Sequence, residues 1–188
     1  MKKILLTGFG PFAENDINPT ESLVNDFHNK EINGYKVISS ILPVEYKNSI
    51  NILDELINKF DPQVIINLGL ASDRTIITPE LLAINYQHSN TLDNAKIKKL
   101  FSKINPNGKE SFFSTLPIEK MILELEKLNI PVKLSSTAGT YVCNTVMYHC
   151  LKKVQQDKRD CISGFIHIPP NLDQQVLSRA LTACINIL

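Results

Sequence analysis

The chain of 188 residues contains only four cysteines, Cys143, Cys150, Cys161 and Cys184. None forms a C-x-x-C pair, and their spacing fits no zinc-ligand pattern, so no metal site is expected. Four cysteines are too few to staple a chain of this length, which makes reduced thiols and a cytoplasmic location the simpler expectation. Charge of either sign is also scarce in net terms: 20 basic against 19 acidic residues give +1. The densest basic spots, Lys152-Lys153 and Lys158-Arg159, are interrupted by Asp157 and Asp160 and read as the solvated end of a helix. The footprint of a nucleic-acid binder is therefore missing. No apolar run approaches the roughly 20 residues of a membrane span. The opening run Met1 to Leu6 soon meets Gly8, Gly10 and Pro11, then Glu14 and Asp16, so it is not read as a signal peptide. Internal repeats, low-complexity tracts, linkers and phosphate-cradling glycine motifs are absent as well.

What remains is an ordinary globular composition, 43% hydrophobic and 21% charged, at a length that suits one domain spanning 1–188. Apolar periodicity and turn residues predict strands over 2–7, 36–42, 63–68, 132–135 and 163–168. They predict helices over 19–29, 46–60, 117–128, 140–155 and 171–187, the first with Pro19 near its first helical position. The β-branched stretch 76–86 is broken by Thr78-Pro79-Glu80, and 90–108 reads as a polar, basic loop. Strands alternate with helices along most of the chain. That order predicts an α/β fold: a single three-layer domain with a largely parallel twisted sheet and helices on both faces. Ligands of such sheets bind beyond the carboxyl ends of the strands. The loop after the first strand, the segment 69–80 and His167 all fall there.

Three side chains carry candidate chemistry. Cys143 follows Gly139-Thr140 at the start of an apolar helical pattern. With Thr140 as N-cap, the thiol would sit in the first turn, where the helix dipole and unpaired N–H groups favour thiolate and could hold an oxyanion. The alternative is a small core residue, since Met147, Cys150 and Val154 share its helix stripe. His167 alternates with Ile166 and Ile168, so it points to the opposite sheet face from both, either as a structural histidine or as a general base. His28, His88 and His149 are weaker candidates. Glu80, set among apolar residues, is either solvated at a bend or buried with a partner; in the second case it could orient His167. Phe9 and Phe12 flank Gly10-Pro11 and either cap the core or line a small-molecule slot.

Five segments taken together resemble the pyrrolidone carboxyl peptidase (pyroglutamyl peptidase I) family. They are Thr7-Gly8-Phe9-Gly10-Pro11-Phe12 with Ile17-Asn18-Pro19; Ile77-Thr78-Pro79-Glu80 through Asn85; Phe113-Ser114-Thr115-Leu116-Pro117-Ile118; Ala138-Gly139-Thr140-Tyr141-Val142-Cys143-Asn144; and Gly164-Phe165-Ile166-His167-Ile168-Pro169. The resemblance implies a Cys143–His167–Glu80 triad that removes an N-terminal pyroglutamyl residue from a blocked peptide through a thioester. It implies a cytoplasmic enzyme without cofactor, forming a homo-oligomer, dimer or tetramer. It further implies that Phe9, Phe12 and Tyr141 sandwich the lactam ring, that Asn18 supports their loop, and that Val142 and Leu70 complete the substrate site.

The chain departs from the family pattern in its polar, substrate-facing positions. A glutamine and paired glycines usual before the glutamate are replaced in Gly69-Leu70-Ala71-Ser72-Asp73-Arg74; Asn90 stands where an arginine is usual, and Val44 where a threonine is. The 90–110 loop is shorter and more basic. The resemblance thus speaks more directly to reaction class than to substrate. Two other readings stay open: a related cysteine amidase with altered specificity, and a non-catalytic relative that binds a small molecule or peptide.

Overall fold

The computed structural model describes residues 1–12 and 17–188, so the middle of the loop expected after the first strand lies outside the described residues. Elements follow in the order β1 (Lys2–Phe9), α1 (Pro19–Phe27), β2 (Glu31–Ile32), β3 (Tyr35–Leu42), α2 (Asn48–Phe60), β4 (Val64–Leu70), β5 (Thr78–Pro79), β6 (Leu82–Ile84), β7 (Ser111–Phe113), α3 (Ile118–Lys127), α4 (Val142–Gln156), β8 (Ile162–Ile168) and α5 (Gln174–Asn186). The main sheet has the order β2-β3-β1-β4-β8-β5, and β6 pairs with β7 in a separate small sheet. The four inner strands run parallel, and the short edge strands β2 and β5 run antiparallel to their neighbours.

Strand alternation sorts the core into two layers. Ile4, Leu6, Ile66, Leu68, Ile166 and Ile168 pack with Leu23, Met121, Leu125 and Leu177 of α1, α3 and α5. Leu5, Ile65 and Phe165 face the other way, toward Leu53 and Ile57 of α2 and Val146, Met147 and Cys150 of α4. Each fully buried Leu or Ile contributes roughly 1.5–3 kcal/mol. A one-residue slip would turn both faces inside out, so the register is strongly held. The same register puts His167, like Phe165, on the α4 face.

Among the described residues, side chains cap the starts of two helices. Asn18 caps α1 by accepting from Thr20 N, with Pro19 at the helix start. Asp173 caps α5 by accepting from Val176 N at 2.9 Å. The strand expected at 132–135 is only two isolated bridges, Ile77 with Val132 and Glu80 with Ser135. It lies parallel to β5 and exchanges hydrogen bonds through Ile77 N, Lys133 N, Ser135 N and Leu81 N. Pro79, between the bridges, has no N–H to continue the ladder. Sequence reading also missed β2 and β7, which are two and three residues long. Among the described residues no helix is long and apolar enough to cross a membrane.

Candidate active site

Cys143 is the second residue of α4, as its sequence context predicts, but the cap differs from expectation. Tyr141 occupies the N-cap position and no side chain caps the helix. The Thr140 hydroxyl instead donates to His88 O at 2.6 Å, tying the turn before α4 to the loop that follows β6. Asn144, next to the cysteine, anchors the helix start from the other side. Its Oδ1 accepts from Ile84 N at 3.0 Å, and its Nδ2 donates to Ile84 O and Tyr86 O. Gly69 clears space for the sulfur on the sheet: a Cβ there would stand 3.1 Å from Cys143 Sγ and 2.7 Å from Phe165 Cζ. Gly69 is also the register partner of His167 across β4 and β8. The sulfur therefore rests over the strand adjacent to the histidine, on the same face.

His167 is 5% exposed, and its Nδ1 lies 2.7 Å from Oε1 of Glu80, which is wholly buried. A carboxylate oxygen can only accept, so Nδ1 is the donor of this bond. The backbone brings the two together: Thr78 pairs with His167, and Glu80 N donates to Phe165 O at 2.9 Å. Leu81 N donates to Ser135 O on the other side, so the glutamate is pinned between two extended segments. Of the two readings of Glu80, the buried and partnered one holds. A third group, absent from the sequence prediction, completes the arrangement. Arg74 Nη1 reaches the same Oε1 at 2.5 Å and also donates to the Thr78 hydroxyl. The available sequence signal was a lone arginine shortly before a glutamate in an apolar setting.

The surroundings of the sulfur work against the expected resting thiolate. Burial pushes the Cys143 thiol up from an ordinary 9.0 to about 12, and the Glu80 carboxylate adds to the rise. The backbone N–H of Cys143 and the Arg74 guanidinium pull the other way. The helix start thus acts in the predicted direction and is outweighed by desolvation. The sulfur rests as a thiol, and a nucleophilic role requires a base to take its proton during attack.

Cys143 and His167 open into a cleft of about 400 Å³. Phe9, Phe12, Val44, Leu70, Ala138 and Tyr141 form its apolar wall; Ser72, Asp73, Arg74, His88 and Ser89 form a polar side. The aromatic residues do not form an open sandwich. Phe12 and Tyr141 have ring centroids 6.4 Å apart, tilted by 38°. A flat ring between them would need about 7–8 Å, two carbon contacts of roughly 3.5–4.0 Å each. Phe9 is 2% exposed and packs on Phe165, so it serves as floor. Tyr141 is held from behind by its hydroxyl bond to Leu92 O at 2.9 Å and by the edge of Tyr46. Val142, expected in the substrate site, is not among the cleft-lining residues, and neither is the loop-supporting Asn18. Val142 is fully buried in the α4 core layer. Asn18 is 2% exposed and donates to Gly10 O at 3.0 Å, bracing the turn between Phe9 and Phe12. Asn90 is exposed and outside the cleft lining, whereas His88 and Ser89 belong to it.

Comparison with known proteins gives a consistent picture. A family model described as pyroglutamyl peptidase matches residues 2–185. The pyrrolidone-carboxylate peptidase of Oceanobacillus iheyensis is 47% identical, with 100% of each chain covered. That of Bacillus cytotoxicus is 39% identical over 90% of this chain and 79% of its own. Among solved structures, the pyrrolidone carboxyl peptidase from Thermococcus litoralis is similar with a TM-score of 0.97 and 30% identity, covering 100% of this chain and 93% of that one. Pyroglutamyl peptidase I from Bacillus amyloliquefaciens has a TM-score of 0.95 at 31% identity, over 99% of this chain and 96% of its own.

Proposed function

The chain belongs to the pyroglutamyl peptidase family, and on that premise we propose how its residues carry the family's reaction, the removal of an N-terminal pyroglutamyl residue from a peptide. Cys143 is the nucleophile, His167 the base and then the acid, and Glu80 the group that orients the ring. The observation that carries this reading is the 2.7 Å contact between His167 Nδ1 and the buried Glu80 Oε1, on the sheet face where Cys143 meets Gly69.

The lactam of the blocked peptide lies against the wall of Phe12, Leu70 and Tyr141. Pyroglutamate has no charged amine, so a small apolar cleft can accept it where it would reject a free N-terminus. Cys143 Sγ forms a bond to the carbonyl carbon as its proton passes to His167 Nε2. The oxyanion so formed faces the backbone N–H groups at the uncapped start of α4. Collapse breaks the C–N bond, and His167 returns the proton to the departing amine. Water, deprotonated by His167, then cleaves the thioester, releasing pyroglutamic acid and restoring the thiol. Glu80 accepts from Nδ1 throughout and stabilises the transient imidazolium.

The whole chain acts as one peptidase domain. Its four free thiols suit a reducing cytoplasm, and the family resemblance favours a homo-oligomer. Turnover of a fluorogenic pyroglutamyl amide tests the assignment. Wild type cleaves it, Cys143→Ala remains folded and does not, and unchanged turnover in that variant would refute the nucleophile.

A further inference from the structure

We propose that Arg74 is a positioning residue of this machinery: it clamps Glu80 through Oε1, so that the carboxylate orients His167 without its charge acting unopposed on Cys143. The inference rests on the assignment of Cys143, His167 and Glu80 given above.

Four observations support it. First, Glu80 is completely buried, and its Oε2 has no partner among the described residues. A carboxylate in that position requires a compensating charge. Second, His167 offers Glu80 a hydrogen bond, whereas Arg74 adds a permanent positive charge. It reaches the very oxygen that His167 uses, 2.5 Å from one and 2.7 Å from the other. Third, Arg74 is held in place by the Thr78 hydroxyl, on the residue that pairs with His167. The guanidinium, the carboxylate and the imidazole are thus referenced to one short segment of backbone. Fourth, Arg74 lines the cleft together with Cys143, and its charge lowers the thiol's proton affinity while that of Glu80 raises it.

The ionisable groups about the sulfur are few. The loop after β4 offers Arg74 and Asp73, β8 brings His167 and the loop after β6 brings His88; behind the histidine, Glu80 follows β5 and acts on the thiol through its charge. Tyr141 stands at the start of α4 itself. Glu80 is the carboxylate that orients the base, and its negative charge makes the thiol harder to ionise. Arg74 lets the orienting hydrogen bond persist while reducing that cost. Its bond to Glu80 comes from a single nitrogen rather than a two-pronged fork, so a lysine can reproduce part of it.

The test is the pH dependence of Cys143 alkylation by iodoacetamide, together with turnover of a pyroglutamyl amide. In R74Q the alkylation curve moves up by about one pH unit or more. Its kcat falls about 10-fold or more with KM little changed, and R74K recovers part of the loss. An R74Q protein that is folded, yet has the wild-type alkylation curve and kcat, would overturn the inference. If R74Q does not hold its fold, E80Q is compared with R74Q/E80Q, where no buried carboxylate is left unpaired. Because Arg74 acts through Glu80, the inference predicts that the double variant loses less than about 3-fold in kcat relative to E80Q, and a larger further loss would overturn it. C143A separates the two levels: activity in C143A defeats the catalytic assignment, whereas an inactive C143A with an unaltered R74Q defeats only the role of Arg74.

Discussion

A methyl group on Gly69 would stand 3.1 Å from Cys143 Sγ, while Gly69 itself is paired in register with His167. Strand register sets the face of His167, and the missing side chain at Gly69 leaves room for the Cys143 sulfur on that same face. Gly69→Ala is predicted to push the sulfur or the Phe165 ring aside. Overpacking of this kind costs about 1–3 kcal/mol of stability. Thermal unfolding and kcat measured together check it: both should fall, with kcat falling more than lost folded protein explains.

Glu80→Gln tests the orienting contact. Glutamine can present its N–H₂ to Nδ1 and hold the ring in the wrong tautomer. The expected loss is in kcat, of the order of 10³–10⁴-fold by analogy with the corresponding change in a serine triad. Michaelis–Menten analysis of a pyroglutamyl amide reads it, with KM nearly unchanged.

Much of this site could be read from sequence, for identifiable reasons. His167 sits in a strand whose period of two fixes its face, and Cys143 at a helix start marked by Gly139 and Thr140. Glu80 stood out as a charge among apolar residues. The Arg74 contact was not readable, because it depends on how a loop folds back onto the β5 segment. The cap was misread because the Thr140 hydroxyl finds a carbonyl 52 residues away, at His88, rather than the helix. The main helices and inner strands were legible because each buries a periodic face; β2 and β7 are too short to show any period.

The loop after β6 is fastened by Asp93, which is 2% exposed. Its carboxylate accepts from Tyr46 N at 3.0 Å and Ile97 N at 2.8 Å. Asp93→Ala leaves both donors without a partner, at about 1–3 kcal/mol for each that stays buried. It also loosens the segment whose Leu92 carbonyl holds Tyr141. A lower melting temperature and a raised KM are expected, with kcat affected less.

The buried thiols make stability alkali-sensitive. Burial raises Cys150 from an ordinary 9.0 to about 11 and Cys184 to about 12. The folded state therefore holds these protons after the unfolded state has lost them. Stability is intact below about pH 9, the ordinary thiol value, and declines as pH rises toward the folded values. Each thiol removes about 1.4 kcal/mol per pH unit within its window. Urea midpoints from pH 8 to 11 should fall, and Cys184→Val should make that fall shallower.

In the proposed reaction the sulfur of Cys143 takes the acyl group. Acid-quenching the enzyme during turnover of a pyroglutamyl ester, followed by peptide mass analysis, tests it most directly. A pyroglutamyl thioester is expected on the peptide containing Cys143, absent from Cys143→Ala. Turnover with that peptide unmodified, or with the acyl group on another residue, would contradict it.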